Sequence, residues 1–131
     1  MVSRQAQCSC GQLKVTCRGE PVRNSVCHCL ACQRRTGSPF GQQARWPAEH
    51  VTIEGQATTF VRKGDDGGTA AFRFCATCGA TVYYDIAEMP GFIAVPIGAF
   101  ADPAFPAPTV SVYEERKHAW VDVPTATERY D

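Results

Sequence analysis

The sequence predicts an all-β domain. Glycine (11) and proline (9) recur singly between short runs, as turn residues do between strands. Within those runs apolar and polar residues alternate with the period of a half-buried strand. No repeat, charge block or low-complexity tract interrupts the pattern. A chain of 131 residues is read as one domain, residues 1–131.

The elements follow in order. Leu13, Val15 and Cys17 alternate with polar neighbours, so residues 11–18 read as a strand, and Glu20-Pro21 turns the chain. Val22 to Cys27 forms a second strand. Residues 30–36 fit one or two helical turns stopped by Gly37. Phe40 to Trp46 and Val51 to Glu54 read as strands on either side of Pro47. Thr58 to Arg62 and Thr69 to Phe74 flank Gly64-Asp65-Asp66-Gly67-Gly68, a hairpin signal in which the aspartates serve the turn. Thr81 to Ile86 and Phe92 to Phe100 follow. Residues 101–108, with three prolines, form a loop, and Val110 to Tyr113 and Trp120 to Val123 close the sheet. Trp46, Tyr83, Tyr84, Phe92 and Trp120 are expected in the core or in a pocket wall.

Thirteen basic residues balance thirteen acidic ones, so no net field draws the chain to nucleic acid or to an anionic membrane. Neither a secretory signal nor a transmembrane span is visible, which points to the cytoplasm. There thiols stay reduced, and the eight cysteines point to metal before disulfides.

Seven of the eight fall into three clusters: Cys8-Ser9-Cys10, Cys27-His28-Cys29-Leu30-Ala31-Cys32 and Cys75-Ala76-Thr77-Cys78. Extended C-x-C places both sulfurs on one side, and C-x-x-C followed by glycine is a knuckle. Cys8, Cys10, Cys75 and Cys78 therefore make a closed tetrahedral zinc set that ties the N-terminus to mid-chain.

Cys27, Cys29 and Cys32 supply three thiolates and leave one position open. An open zinc site usually does chemistry. Three thiolates make it a modest Lewis acid, suited to holding and activating a fourth thiolate. Arg34 and Arg35 follow and offer forked donors to a carboxylate. A ligand with a thiol and carboxylates suits such a site, and glutathione is the obvious candidate. Other readings stay open here. Cys17, His50 or His118 closes the site, or the trio acts as redox thiols. His28 points away from its neighbours on an extended backbone. The run Glu114-Glu115-Arg116-Lys117-His118 reads as a solvated edge or turn, with Glu115 or His118 as a rim contact or proton acceptor in the sharper version.

The motifs Cys-x-Cys-Gly, Cys-His-Cys-x-x-Cys followed by Arg34-Arg35-Thr36-Gly37-Ser38, and Phe74-Cys75-x-x-Cys78-Gly79 resemble the glutathione-dependent formaldehyde-activating enzyme family. The tail Gly98-Ala99-Phe100, Asp102-Pro103, Pro108 and Trp120 is similar as well, so the resemblance spans about residues 5–123. It implies a β-tent of twisted antiparallel sheets around a structural zinc on Cys8, Cys10, Cys75 and Cys78. It implies a catalytic, more labile zinc on Cys27, Cys29 and Cys32. The implied activity is condensation of formaldehyde with glutathione to S-hydroxymethylglutathione, a carbon–sulfur lyase run in reverse. Arg34, Arg35 and Ser38 become candidate glutathione contacts by adjacency, or else solvated loop residues. One branch of the family is a centromere protein, so the alternative is a non-catalytic zinc-binding interaction module. A zinc-ribbon nucleic-acid binder is disfavoured by the balanced charge and the absence of an aromatic–basic patch. The sequence does not specify an oligomeric state.

Overall fold

The structure is a computed structural model and describes residues 1–64 and 67–131. The strands are β1 (Ser3–Gln7), β2 (Lys14–Arg18), β3 (Arg23–Cys27), β4 (Gly41–Pro47), β5 (Val51–Glu54), β6 (Thr58–Lys63), β7 (Thr69–Phe74), β8 (Thr81–Ile86), β9 (Phe92–Pro96), β10 (Val110–Val112) and β11 (Glu128–Arg129). One helix, α1, spans Leu30–Thr36. It stops at Gly37, whose φ of 69° ends the helix in the left-handed conformation expected of glycine. The aspartates Asp65 and Asp66 lie outside the described residues.

The architecture is all-β, in agreement with the β-tent expectation. A three-stranded sheet has the order β1-β2-β5, and an eight-stranded sheet the order β11-β10-β3-β4-β9-β8-β7-β6. Pairing is antiparallel except at one edge, where β10 runs parallel to both β3 and β11.

The main core lies between the sheets. Val15 and Cys17 of the smaller sheet pack with Ala44, Trp46, Val82 and Val95 of the larger. Trp46 is wholly buried, and its indole N–H donates to Gly19 O at 2.9 Å. Burial of such a side chain stabilises the fold by about 2–3 kcal/mol, provided its N–H is satisfied as here. Cys17 is a core residue on β2, and burial pushes its thiol up to about 12. The opposite face of the larger sheet carries Arg23, Ser25 and Cys27 on β3, with Gly41, Gln43 and Arg45 directly across on β4. That face holds the site.

Two expectations need correction. Trp120 to Val123 is not a strand, and Trp120 is 73% exposed rather than packed. The sheet ends instead on Glu128–Arg129, which pair with β10. The strand begun at Phe92 stops at Pro96, since the chain turns into a 3₁₀ segment over Ile97–Phe100. The charged run opens as a 3₁₀ turn over Glu114–Arg116, in line with the turn reading. Glu114 is mostly buried, because the Ser111 hydroxyl and Arg129 both bond its carboxylate.

Candidate metal centres and the adjoining cleft

Cys8 and Cys10 sit on the turn after β1, and Cys75 and Cys78 on the turn after β7. Both turns close in the same way. Cys8 N–H reaches Leu13 O at 3.0 Å while Gly11 N–H returns to Cys8 O at 3.1 Å. Cys75 N–H reaches Ala80 O at 3.0 Å while Gly79 N–H returns to Cys75 O at 2.7 Å. Gly11 and Gly79 have φ of 84° and 81°, which a side chain would resist.

The four sulfurs lie within 4.8 Å of one another, with Cys8–Cys10 and Cys10–Cys75 at 3.6 Å. Thiolates about 2.3 Å from a tetrahedral ion stand ~3.8 Å apart, so the set has the spacing of a zinc site. All eight cysteines are free thiols. Gln12 donates to Cys75 Sγ at 3.1 Å and holds that thiol down at about 6. The Leu13 N–H lowers Cys8 against the upward push of burial. Cys10 goes up to about 11: the backbone at Gln12 favours its thiolate, but the bonds to Cys8 and Cys75 outweigh that. Four adjacent thiols do not all ionise together unless a cation offsets their charge.

The second cluster forms where β3 meets α1. Cys27 ends β3, Cys29 is the N-cap of α1, and Cys32 lies one turn in, with its N–H on Cys29 Sγ at 3.2 Å. All three are buried, and their sulfurs lie within 4.8 Å of one another. No fourth ligand atom joins them among the described residues. Cys32 is lowered, because Cys27 and Cys29 bond to its sulfur and Arg35 and Arg62 add positive charge. Cys27 is raised by the same bonds, those to Cys29 and Cys32.

His28 points away from the sulfurs. Its Nε2 is 2.9 Å from Ser111 Oγ, which donates its own hydrogen to Glu114 Oε2 at 2.6 Å. Ser111 therefore accepts, and His28 carries its proton on Nε2. Burial lowers the basicity of His28. Ser111 and Glu114 give no sequence signal of this role.

A cleft of about 270 Å³ opens onto the three sulfurs. Arg23 of β3, Arg45 of β4, Arg62 of β6 and Tyr84 of β8 line it. Arg34 and Ser38 do not reach it. Arg34 lines an outer groove with Arg35, Phe60, Lys63 and Arg62, the last of which also lines the cleft. The fold thus assembles an aromatic–basic patch that is not visible as a run in the sequence. Arg35 packs 5.0 Å from the Phe72 ring centre and 5.5 Å from that of Tyr84. Gly41 makes room for it: a Cβ there would meet Arg35 Nη2 at 3.1 Å and Cys32 Cβ at 3.5 Å. Ser38 builds its own turn, donating its N–H to Thr36 Oγ1 at 3.1 Å. His118 donates to Gln33 Oε1 at 3.0 Å, and neither it nor His50 joins the sulfurs. Cys17 lies in the core, away from both clusters' sulfur sets.

Among the described residues, no helix is long and apolar enough to cross a membrane. No curated protein matches the chain in sequence. A Rhodobacter sphaeroides protein of known crystal structure is similar in fold, with a TM-score of 0.57 at 16% identity, over 97% of this chain and 99% of that one. Residues 3–116 match the family model described as glutathione-dependent formaldehyde-activating enzyme, a stretch that takes in both cysteine clusters and stops short of Trp120. The chain belongs to the glutathione-dependent formaldehyde-activating enzyme family.

Proposed function

We propose that this chain is a zinc-dependent carbon–sulfur lyase or synthase, acting on adducts of glutathione or a similar thiol with formaldehyde or another small aldehyde. The observation that carries this reading is the contrast between two cysteine clusters, one with four sulfurs and one with three beside a cleft. In this reading Cys8, Cys10, Cys75 and Cys78 hold a structural zinc. Cys27, Cys29 and Cys32 hold a second, more labile one. That ion would lower the pKa of a substrate thiol and fix its position.

The chain's own groups then have defined work. Cys27, Cys29 and Cys32 set the position of the reacting sulfur at the cleft floor. The cleft walls exclude water and orient the aldehyde partner. Addition forms one S–C bond, opens the C=O double bond, and leaves the thiol proton on the former carbonyl oxygen. Breakdown is the reverse, so no oxidant or reductant is required. A chain of free thiols suits the cytoplasm, where we place it.

NMR exchange spectroscopy on equilibrated formaldehyde and glutathione tests the reading. The zinc-loaded protein is expected to speed exchange between free and hydroxymethylated glutathione at least about tenfold over the spontaneous rate. Exchange unchanged by the protein would remove formaldehyde with glutathione as its reaction. It would favour the non-catalytic interaction module if other thiol and aldehyde pairs also gave none.

A further inference from the structure

Three thiolates on a divalent ion leave one negative charge, and the arginines of the cleft beside them carry more positive charge than that offsets. Arg23 and Arg45 are direct cross-strand partners on the face that also presents Cys27. Like charges placed opposite each other destabilise a sheet. Arg62 enters from β6, with its guanidinium 4.5 Å from the Phe72 ring centre. Nε of Arg23, Arg45 and Arg62, and Nη1 of Arg62, are buried with no hydrogen-bond partner among the described residues. Glu88, the acid among the described residues that line the cleft, is not hydrogen-bonded to them. Its two oxygens both take the Thr69 N–H, at 3.0 and 3.2 Å. Buried donors are nearly always paired, and buried charges are paired or bind an ion. Guanidinium groups lining one cleft match the planar fork of a carboxylate.

We propose that Arg23, Arg45 and Arg62 form a carboxylate subsite, and that the preferred thiol is a compact one bearing its carboxylate a few bonds from sulfur. Two features limit the size. The cleft of about 270 Å³ falls below the range of roughly 300–1,000 Å³ typical of pockets for larger ligands. Arg23 and Arg45 stand four rungs along the ladder from Cys27 and Gly41, a Cα span of roughly 13 Å that long arginine side chains shorten. A short mercapto-carboxylic acid meets both limits, whereas most of a peptide thiol would lie outside. The inference rests on the reading that the three-cysteine site takes a thiol.

The test uses zinc-loaded protein with ¹⁵N-arginine, following the Nε–H signals assigned through Arg23→Lys, Arg45→Lys and Arg62→Lys. The probes are 3-mercaptopropionate, the neutral 2-mercaptoethanol, propionate, glutathione and inorganic phosphate. We expect 3-mercaptopropionate to shift the three Nε–H signals and to bind at least about tenfold tighter than 2-mercaptoethanol, the scale of a charged hydrogen bond. Arg62→Lys should remove most of that advantage, and it keeps the test open if Arg45→Lys fails to fold. Equal affinity for the charged and neutral thiols, or unmoved Nε–H signals, would overturn the subsite. Glutathione binding tighter than 3-mercaptopropionate would overturn the compact ligand, and phosphate binding tighter than propionate would overturn the carboxylate. Propionate shifting the signals with no gain from a thiol would uphold the subsite while removing the thiol reading of the metal centre.

Discussion

Gln12 donates a side-chain N–H to Cys75 Sγ at 3.1 Å, across 63 residues of sequence. The same amide nitrogen donates to Gln56 O at 2.8 Å, and its oxygen accepts the Gln56 N–H at 2.9 Å. One side chain therefore pins the turn between β5 and β6 to the four-sulfur cluster. Partners of this kind orient metal ligands, and their loss typically costs about 10–100-fold in metal affinity. Gln12→Ala is expected to lower zinc affinity at this cluster by about tenfold or more, read by competition with a chelator. Unchanged affinity would show that the bond does not support the ligand.

Gly55 sits against the same residue. A Cβ at this position would lie 2.0 Å from Gln12 O, and its φ is 100°. Gly55→Ala should therefore destabilise the fold by ~2 kcal/mol or more, through clash and backbone strain together. Urea unfolding of the zinc-loaded protein measures it.

Glu114 provides a pH signature. The Ser111 hydroxyl holds its carboxyl below the ordinary value of 4.5, with Lys117 and Arg129 adding to the effect against burial. A carboxyl lowered on folding stabilises above its unfolded pKa, and that contribution is lost as pH falls through the folded value. Wild type should thus lose stability relative to Glu114→Gln as the pH drops below about 4.5. Parallel urea titrations from pH 7 to pH 3 test this, and curves that stay parallel throughout would contradict it.

Cys17 should be chemically silent. With its thiol pushed up to about 12 by burial, it is expected to stay unalkylated in the native zinc-loaded protein at pH 8. Cys17→Val should keep both metal sites, while Cys17→Ser, which buries a hydroxyl among apolar neighbours, should cost about 1–3 kcal/mol. Mass spectrometry of the labelled protein reads the first result, metal content the second and urea unfolding the third.

Strands with one clean apolar face were legible from the sequence. β7 and β8 occupy the residues their alternation marks, and Gly37 ends α1 where expected. β1 escaped because only Ala6 of Ser3–Gln7 faces the core, so no alternation shows. β11 is two exposed residues held by backbone pairing to β10, again without a pattern. Trp120 misled for the opposite reason: a large apolar residue reads as core, yet the chain leaves it on the surface. The cysteine clusters were legible because ligand spacing is local on each segment. The cleft was not, since Arg23, Arg45 and Arg62 come from three strands and meet only through sheet register and the fold of the hairpin. Adjacency in sequence pointed to Arg34 and Ser38 instead, and the helix carries Arg34 to the outer groove.

The central claim is that four cysteines serve the scaffold and three serve the chemistry. Cys29→Ser separates these roles well, because serine keeps the N-cap of α1 while removing one thiolate. Metal content per chain, measured beside circular dichroism, decides the matter. The account predicts two zincs for wild type, and one for a Cys29→Ser variant that remains folded. A variant that unfolds, or a folded one that keeps both zincs, would contradict it.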